Sequence, residues 1–224
     1  MMKKVLVLLA LLTMAGIVNA DWIIDGGTFF PALGWMNVSE SPANGGAYLW
    51  GSSWGVDALR NSGAAGNLVL QTNVNCSDDN YDAWSSGTDL YWLPGNKTME
   101  ALGYIESGWG EYTGQNVTFS FVVGSNNLAA AGYVTEAFIK TLDAGGSWAT
   151  TQEVYEPLTV GAHSFTLYGV DPGLVSPSVQ VGFRVVGLND VSGSPTADLF
   201  VNIVPEPATL ALLGLGGLLL RRRK

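Results

Sequence analysis

The chain has 224 residues, a net charge of −9 at pH 7 and 47% hydrophobic residues. Only four of its ten Lys and Arg residues lie between the two ends, together with all but one of its 19 acidic residues, so this middle part carries about −14. Such a surface repels phosphate backbones, which argues against nucleic acid as a partner. The single cysteine, Cys76, excludes an internal disulfide and a cysteine-based zinc site.

The first twenty residues have the pattern of a secretory signal peptide. A pair of lysines precedes the apolar run Val5–Val18, which is short for a membrane span. Val18 and Ala20 stand at positions −3 and −1, where signal peptidase accepts such residues. Cleavage is therefore expected between Ala20 and Asp21. We therefore predict a signal peptide over residues 1–20, which engages the secretion machinery and signal peptidase. An uncleaved anchor is the alternative.

Residues 21–203 show the two-residue alternation of β-strands and no sustained helical period. In Asn116–Val123, for example, every second residue is apolar, as in a strand with one buried face. The clearest predicted strands are Asn116–Val123, His163–Tyr168, Gln180–Val186 and Leu199–Ile203. Weaker candidates are Trp22–Ile24, Ala47–Trp50, Leu68–Gln71, Met99–Glu106, Tyr133–Thr141 and Thr150–Val154.

Turn residues separate these predicted strands at the spacing of a sandwich or barrel. Gly, Asn, Asp and Pro cluster at Asn44-Gly45-Gly46, Pro94-Gly95-Asn96 and Asp171-Pro172-Gly173, among other places. The sequence therefore predicts an all-β, antiparallel, jelly-roll-like β-sandwich as one domain over residues 21–203. One helical turn is expected near Val56–Arg60.

The start of this domain resembles a known kind of module. Ile23-Ile24-Asp25-Gly26-Gly27-Thr28-Phe29-Phe30, followed by Trp35, resembles the opening strand of jelly-roll carbohydrate-binding modules of the galactose-binding-like type. The resemblance implies a β-sandwich that binds sugars. In those modules a Glu after the Phe helps to hold a structural calcium, and this chain has Phe30 or Pro31 there.

Aromatic residues cluster in two loop-rich regions of the middle part. The candidate glycan-binding residues are Trp50, Trp54, Trp84 and Trp92. Flat aromatic rings pack against the C–H faces of sugars, and nearby carboxylates can bind the hydroxyl groups. The alternative is that these rings cap the core. The acidic stretch Cys76–Asp82 could bind Ca²⁺ or be a solvated loop, because it lacks the spacing of an EF-hand. Beyond this possible structural calcium, we predict no metal ligands and no cofactor.

The sequence has no pattern of catalytic residues. His163 is the only histidine and alternates with apolar residues, so we expect a packed core histidine rather than a base. We therefore predict that the protein is not an enzyme. A glycoside hydrolase remains an alternative, because two carboxylates suffice for that reaction.

Three features follow one another at the C-terminus. Val204, Pro205, Glu206 and Pro207 precede the apolar run Ala208–Leu220, and the cations Arg221, Arg222, Arg223 and Lys224 end the chain. As a helix the run would span about 20 Å, less than the hydrocarbon core of about 30 Å. The cations favour the cytoplasmic side. This predicts a short hydrophobic helix that anchors the exported chain weakly and transiently in the inner membrane.

The Pro-Glu-Pro motif, the apolar run and the terminal cations, in this order, resemble the PEP-CTERM sorting signal over residues 204–224. The resemblance implies recognition by exosortase, a membrane transpeptidase that removes the anchor, in bacteria that make exopolysaccharide. It predicts an exported protein at the cell surface or in the extracellular matrix, with a structural or adhesive role. A carbohydrate-binding module for exopolysaccharide is the second hypothesis.

Overall fold

The computed structural model describes residues 21–72, 95–189 and 196–200, the last of these as backbone only. Within these residues the chain forms twelve strands and one short helix, α1 (Asn127–Ala130), besides a 3₁₀ turn at Pro42–Asn44. The strands are β1 (Trp22–Asp25), β2 (Leu33–Glu40), β3 (Tyr48–Ser53), β4 (Asn61–Ala64), β5 (Asn67–Gln71), β6 (Lys97–Glu106), β7 (Val117–Asn126), β8 (Val134–Asp143), β9 (Thr150–Pro157), β10 (Gly161–Leu167), β11 (Pro177–Leu188) and β12 (Thr196–Phe200).

Two six-stranded sheets make up the fold. Sheet II has the order β3-β2-β6-β11-β8-β9 and is antiparallel throughout. Sheet I has the order β1-β7-β12-β5-β4, and β10 pairs along the other side of β7. One side of β7 is therefore shared by two strands. Its first half pairs with β1 in parallel and its second half with β12 in antiparallel fashion. The prediction of an all-β sandwich is confirmed, with this one parallel pair as an exception.

The main hydrophobic core lies between the two sheets. The alternating residues of β7 and β11 meet there, with the rings of Phe119 and Phe183 5.2 Å apart. Phe29 and Phe121 pack on the same Phe183 ring at 5.4 and 5.1 Å. A chain without disulfides depends on such burial, since a buried aromatic ring contributes a few kcal/mol.

The predicted strands agree with the observed ones wherever the two can be compared. Two strands, β2 and β4, were not predicted. In β2, the inward residues Met36 and Val38 alternate with Leu33 and Trp35, which are also apolar. Apolar side chains on both faces hide the two-residue period. Val56–Arg60 forms the expected turn, in which Leu59 N donates to Gly55 O.

Other predictions concern residues that the structure does not describe. These are the signal peptide over 1–20, the end of the predicted strand Leu199–Ile203 beyond Phe200, and the C-terminal hydrophobic helix. Among the described residues, no helix has the length and apolar character needed to cross a membrane.

Candidate functional site

The outer face of sheet II, which points away from the core, carries several polar and charged groups that could bind a ligand. Its register aligns the outward residues of successive strands in rows. One row reads Asn37, Glu100, Val186 and Val134. The next reads Trp35, Leu102, Arg184 and Glu136. The third reads Tyr104, Gly182, Phe138 and Tyr155. The fourth reads Glu106, Gln180, Lys140 and Glu153.

Arg184 lies at the centre of this face and binds two carboxylates. Its Nη1 lies 2.8 Å from Glu100 Oε1, and its Nη2 lies 2.6 Å from Glu136 Oε2. The Nε atom also donates to Glu136, at 2.7 Å. The guanidinium stacks on the Tyr155 ring, 4.2 Å from its centroid. Partial burial alone would lower the pKa of Arg184, but the hydrogen bond and charge of Glu136 and the charge of Glu100 raise it.

A line of hydrogen bonds continues from Glu100 on β6 to two side chains of β2. Glu100 Oε2 accepts from Asn37 Nδ2 at 2.8 Å, and Asn37 Oδ1 accepts from Trp35 Nε1 at 2.8 Å. Gly51 leaves room for this line of hydrogen bonds, because a Cβ at position 51 would collide with Asn37 Oδ1 and the Tyr48 hydroxyl. Each polar atom of this line is therefore oriented before any ligand arrives.

Beside this line is a concavity of about 320 Å³. This volume is at the lower end of the range for small-molecule sites, about 300–1,000 Å³. It is lined by Asn37, Ser39, Tyr48, Thr98, Glu100, Val134, Arg184 and Val186. Tyr48 is 64% exposed, so its ring is available to a ligand. The concavity thus combines an exposed ring with oriented donors and acceptors.

A second charged group lies on the same face. Lys140 Nζ lies 5.3 Å from the centroid of the Phe138 ring, and burial lowers the pKa of this lysine. The Tyr155 hydroxyl donates to Glu153 Oε2 at 2.9 Å. Burial and this hydrogen bond raise the pKa of Tyr155 to about 12. Lys140, Phe138 and Tyr155 are not among the residues that line the concavity.

His163 packs against the core, as expected. Its ring stacks on Phe121 at 5.1 Å, and its side chain is 7% exposed. Nδ1 lies 2.9 Å from Glu156 Oε1, and Nε2 lies 2.6 Å from Thr159 O. Both ring nitrogens of His163 thus have partners within the domain.

The candidate tryptophans do not line the concavity as far as the structure describes them. Trp50 and Trp54 are half-buried and pack against the cluster around Met36 and Val38, on the inner side of sheet II. Trp84 and Trp92, and the acidic stretch 76–82, lie outside the described residues. Asp21, beside the predicted cleavage point, accepts from Asn116 N at 3.3 Å.

Three of the residues at the concavity were missed by sequence reasoning: Asn37, Glu100 and Arg184. A signal was present for Arg184, one of four cations in an acidic middle part, which stands between Phe183 and Val185 in an apolar strand. Its partners lie 48 and 84 residues away, so the spacing could not reveal them. Within the described ranges, no three His, Cys, Asp or Glu side chains group as metal ligands would.

Comparison with known proteins identifies the C-terminal tail. Residues 204–224 match the family described as the PEP-CTERM protein-sorting motif. The match supports the predicted sorting motif and indicates an exported cell-surface protein processed by exosortase, a membrane transpeptidase. No curated protein and no solved structure matches the chain. The resemblance of the domain to carbohydrate-binding modules therefore stays a prediction.

Proposed function

We propose that this exported protein is a non-enzymatic adhesive or structural component of the cell surface that binds polysaccharide in the concavity of sheet II. The observation that carries the proposal is the oriented line from Trp35 through Asn37 and Glu100 to Arg184, next to the exposed ring of Tyr48.

The chemistry of this line suits a sugar. Hydroxyl groups both donate and accept hydrogen bonds, and here an amide, a carboxylate and a guanidinium lie side by side. The Tyr48 ring offers an apolar surface for the C–H face of a pyranose. Since Arg184 is already matched by two carboxylates, the site carries a net negative charge. This favours neutral sugars or amino sugars over uronic acids.

The same ion pairs favour binding over hydrolysis. A glycosidase needs one carboxyl group that can protonate the leaving oxygen. Glu100 and Glu136 both accept hydrogen bonds from a single guanidinium, so each is engaged in holding Arg184. The geometry therefore supports a rigid recognition surface rather than an acid–base pair.

The sorting motif supports the route to the surface. On this proposal the secretion machinery and signal peptidase act at the N-terminus, and the tail holds the chain transiently in the inner membrane. Exosortase then releases it to the surface or the surrounding matrix. There the acidic domain stays soluble and meets exopolysaccharide.

A glycan array followed by calorimetry with purified exopolysaccharide tests the binding proposal. We expect Asn37→Ala and Tyr48→Ala each to weaken binding about tenfold, as for loss of one hydrogen bond or one ring contact. Tyr168→Ala, which removes an exposed ring just after β10 in sheet I, is the matched control. A Trp84→Ala/Trp92→Ala variant tests the aromatic loop instead. If the wild type binds no glycan, or all variants bind equally, the concavity is not the site.

A further inference from the structure

One end of the sandwich carries a group of exposed aromatic side chains. At this end, called the β1 end, β1 and β7 begin, β6 ends, and the hairpin from β8 to β9 turns. Trp109 is 63% exposed and Trp148 is 48% exposed. Their rings meet edge to face at 5.6 Å. Large apolar side chains grouped on a surface commonly mark an interaction site.

The loops hold these rings in place rather than leaving them loose. Trp148 N donates to Asp143 O at 2.9 Å, and Gly110 N donates to Pro177 O at 2.8 Å. A second aromatic pair lies at the same end, where Trp22 stacks on Tyr112 at 4.4 Å. The β1 end therefore presents its rings in a fixed arrangement.

The predicted signal peptide, before its cleavage, precedes the domain at this same end. Trp22, the first residue of β1, pairs with Val117, the first residue of β7. Only residues 19–21 separate Trp22 from the apolar run Val5–Val18. While that segment is in the membrane, the β1 end is the part of the domain beside it.

The last described strand points toward the same end. β12 runs antiparallel to β7, with Leu199 beside Val123, and so points toward the β1 end. Residues 201–207 link Phe200 to the apolar run that starts at Ala208, and they span at most about 25 Å. The stretch of β7 from Val123 to Val117 already covers about 20 Å. Because β1 lies beside the first half of β7, a link that reaches this end must pass around β1 and be almost fully extended.

From these observations we infer that the β1 end rests on the membrane surface while the chain is anchored, with Trp109 and Trp148 inserted at the lipid headgroups. Tryptophan suits this zone because its ring is apolar and its N–H is polar. The inference goes beyond glycan binding and shares with the proposed function only the anchoring by the tail.

Charge indicates which lipid surface fits. The loops at this end, 107–116, 144–149 and 168–176, contain Glu111 and Asp171 but no Lys or Arg. Anionic headgroups would repel them, so the surface is zwitterionic lipid. The concavity lies toward the opposite end of sheet II, where Thr98 and Glu100 stand near the start of β6. An anchored domain would thus present its proposed glycan site away from the membrane.

Quenching of tryptophan emission by brominated phosphatidylcholine tests this orientation. The chain from Asp21 to Lys224, without the predicted signal peptide, is reconstituted in vesicles of phosphatidylcholine and phosphatidylethanolamine, and flotation then reports whether the tail holds it. We expect quenching in the wild type and loss of most of it in Trp109→Phe/Trp148→Phe. Trp50→Phe, which changes a half-buried ring on the inner side of sheet II, should keep the quenching. Thermal unfolding verifies that each variant is folded.

Several results would overturn the inference. One is equal quenching in the wild type and the double variant, and another is loss of quenching in Trp50→Phe. A chain that does not float has no anchor, which also removes the basis of the inference. Stronger quenching on phosphatidylglycerol would contradict the charge argument. An emission shift with soluble exopolysaccharide that needs Trp109 and Trp148 would assign the pair to glycan instead. Glycan binding at the concavity is measured without vesicles, so its outcome is independent.

Discussion

Arg184 Nη2 lies 2.6 Å from Glu136 Oε2 across the pairing of β11 with β8, and the two residues are directly opposite in the register. The same guanidinium reaches Glu100 on β6, so one side chain ties three strands together. The Arg184 side chain is only 22% exposed, so solvent screens these contacts less than it would on an open surface.

Replacing Arg184 with Met should destabilise the fold. The change removes the positive charge and leaves Glu100 and Glu136 close together without compensation, which should lower the free energy of unfolding by about 2 kcal/mol. Urea denaturation measures this. Adding Glu100→Gln and Glu136→Gln to the Met variant removes the repulsion and should restore much of the loss. If the triple variant is as unstable as Arg184→Met, then lost packing on Tyr155 explains the effect.

A methyl group at Gly182 should be poorly tolerated. A Cβ there would collide with Gly103 O and would lie 2.7 Å from Tyr104 Cα on the neighbouring strand. Because these are backbone atoms, the strand itself must move, and we expect Gly182→Ala to cost about 3 kcal/mol. Gly55→Ala, where a Cβ meets nothing within 4 Å, is the control. Equal stability of the two variants in urea would contradict the packing described for sheet II.

Stability should fall at alkaline pH through Tyr155. Burial and the hydrogen bond to Glu153 raise the pKa of this phenol from 10.0 to about 12, so the folded state disfavours the phenolate. The stabilisation is complete below the unfolded pKa and is lost as the pH rises from about 10 through about 12. The free energy of unfolding, measured in urea across this range, should therefore decline. Tyr155→Phe should show a shallower decline, and an unchanged slope would exclude Tyr155 as the cause.

Deleting Val204–Lys224 should change where the protein is found. The deletion removes both the sorting motif and the predicted anchor, so the domain should be released instead of being retained at the envelope. Cell fractionation with immunoblotting measures the distribution. Replacing the four terminal cations with Ser keeps the Pro-Glu-Pro triplet and separates the role of the charges from that of the motif. Unchanged retention of the deleted chain would refute the sorting role.

The sequence by itself determined the features whose signals are local. The alternation of Val117, Phe119 and Phe121 fixed a strand and its buried face, because the side chains of a strand alternate between two faces. The tail at 204–224 was readable because a sorting signal is a contiguous peptide. Leu33–Glu40 was not readable as a strand, since Leu33 and Trp35 make the first half of its outer face apolar as well.

Only the tertiary structure decided the candidate site and the membrane-facing end. Asn37 and Glu100 are 63 residues apart, and Glu100 and Arg184 are 84 residues apart. Their hydrogen bonds depend on the pairing order β2-β6-β11-β8, and a shift of one residue in any pair would turn these side chains into the core. Trp109 and Trp148 likewise meet because two loops end at the same edge of the sandwich. Strand order and register are set by the packing of the whole core, which local sequence signals do not specify.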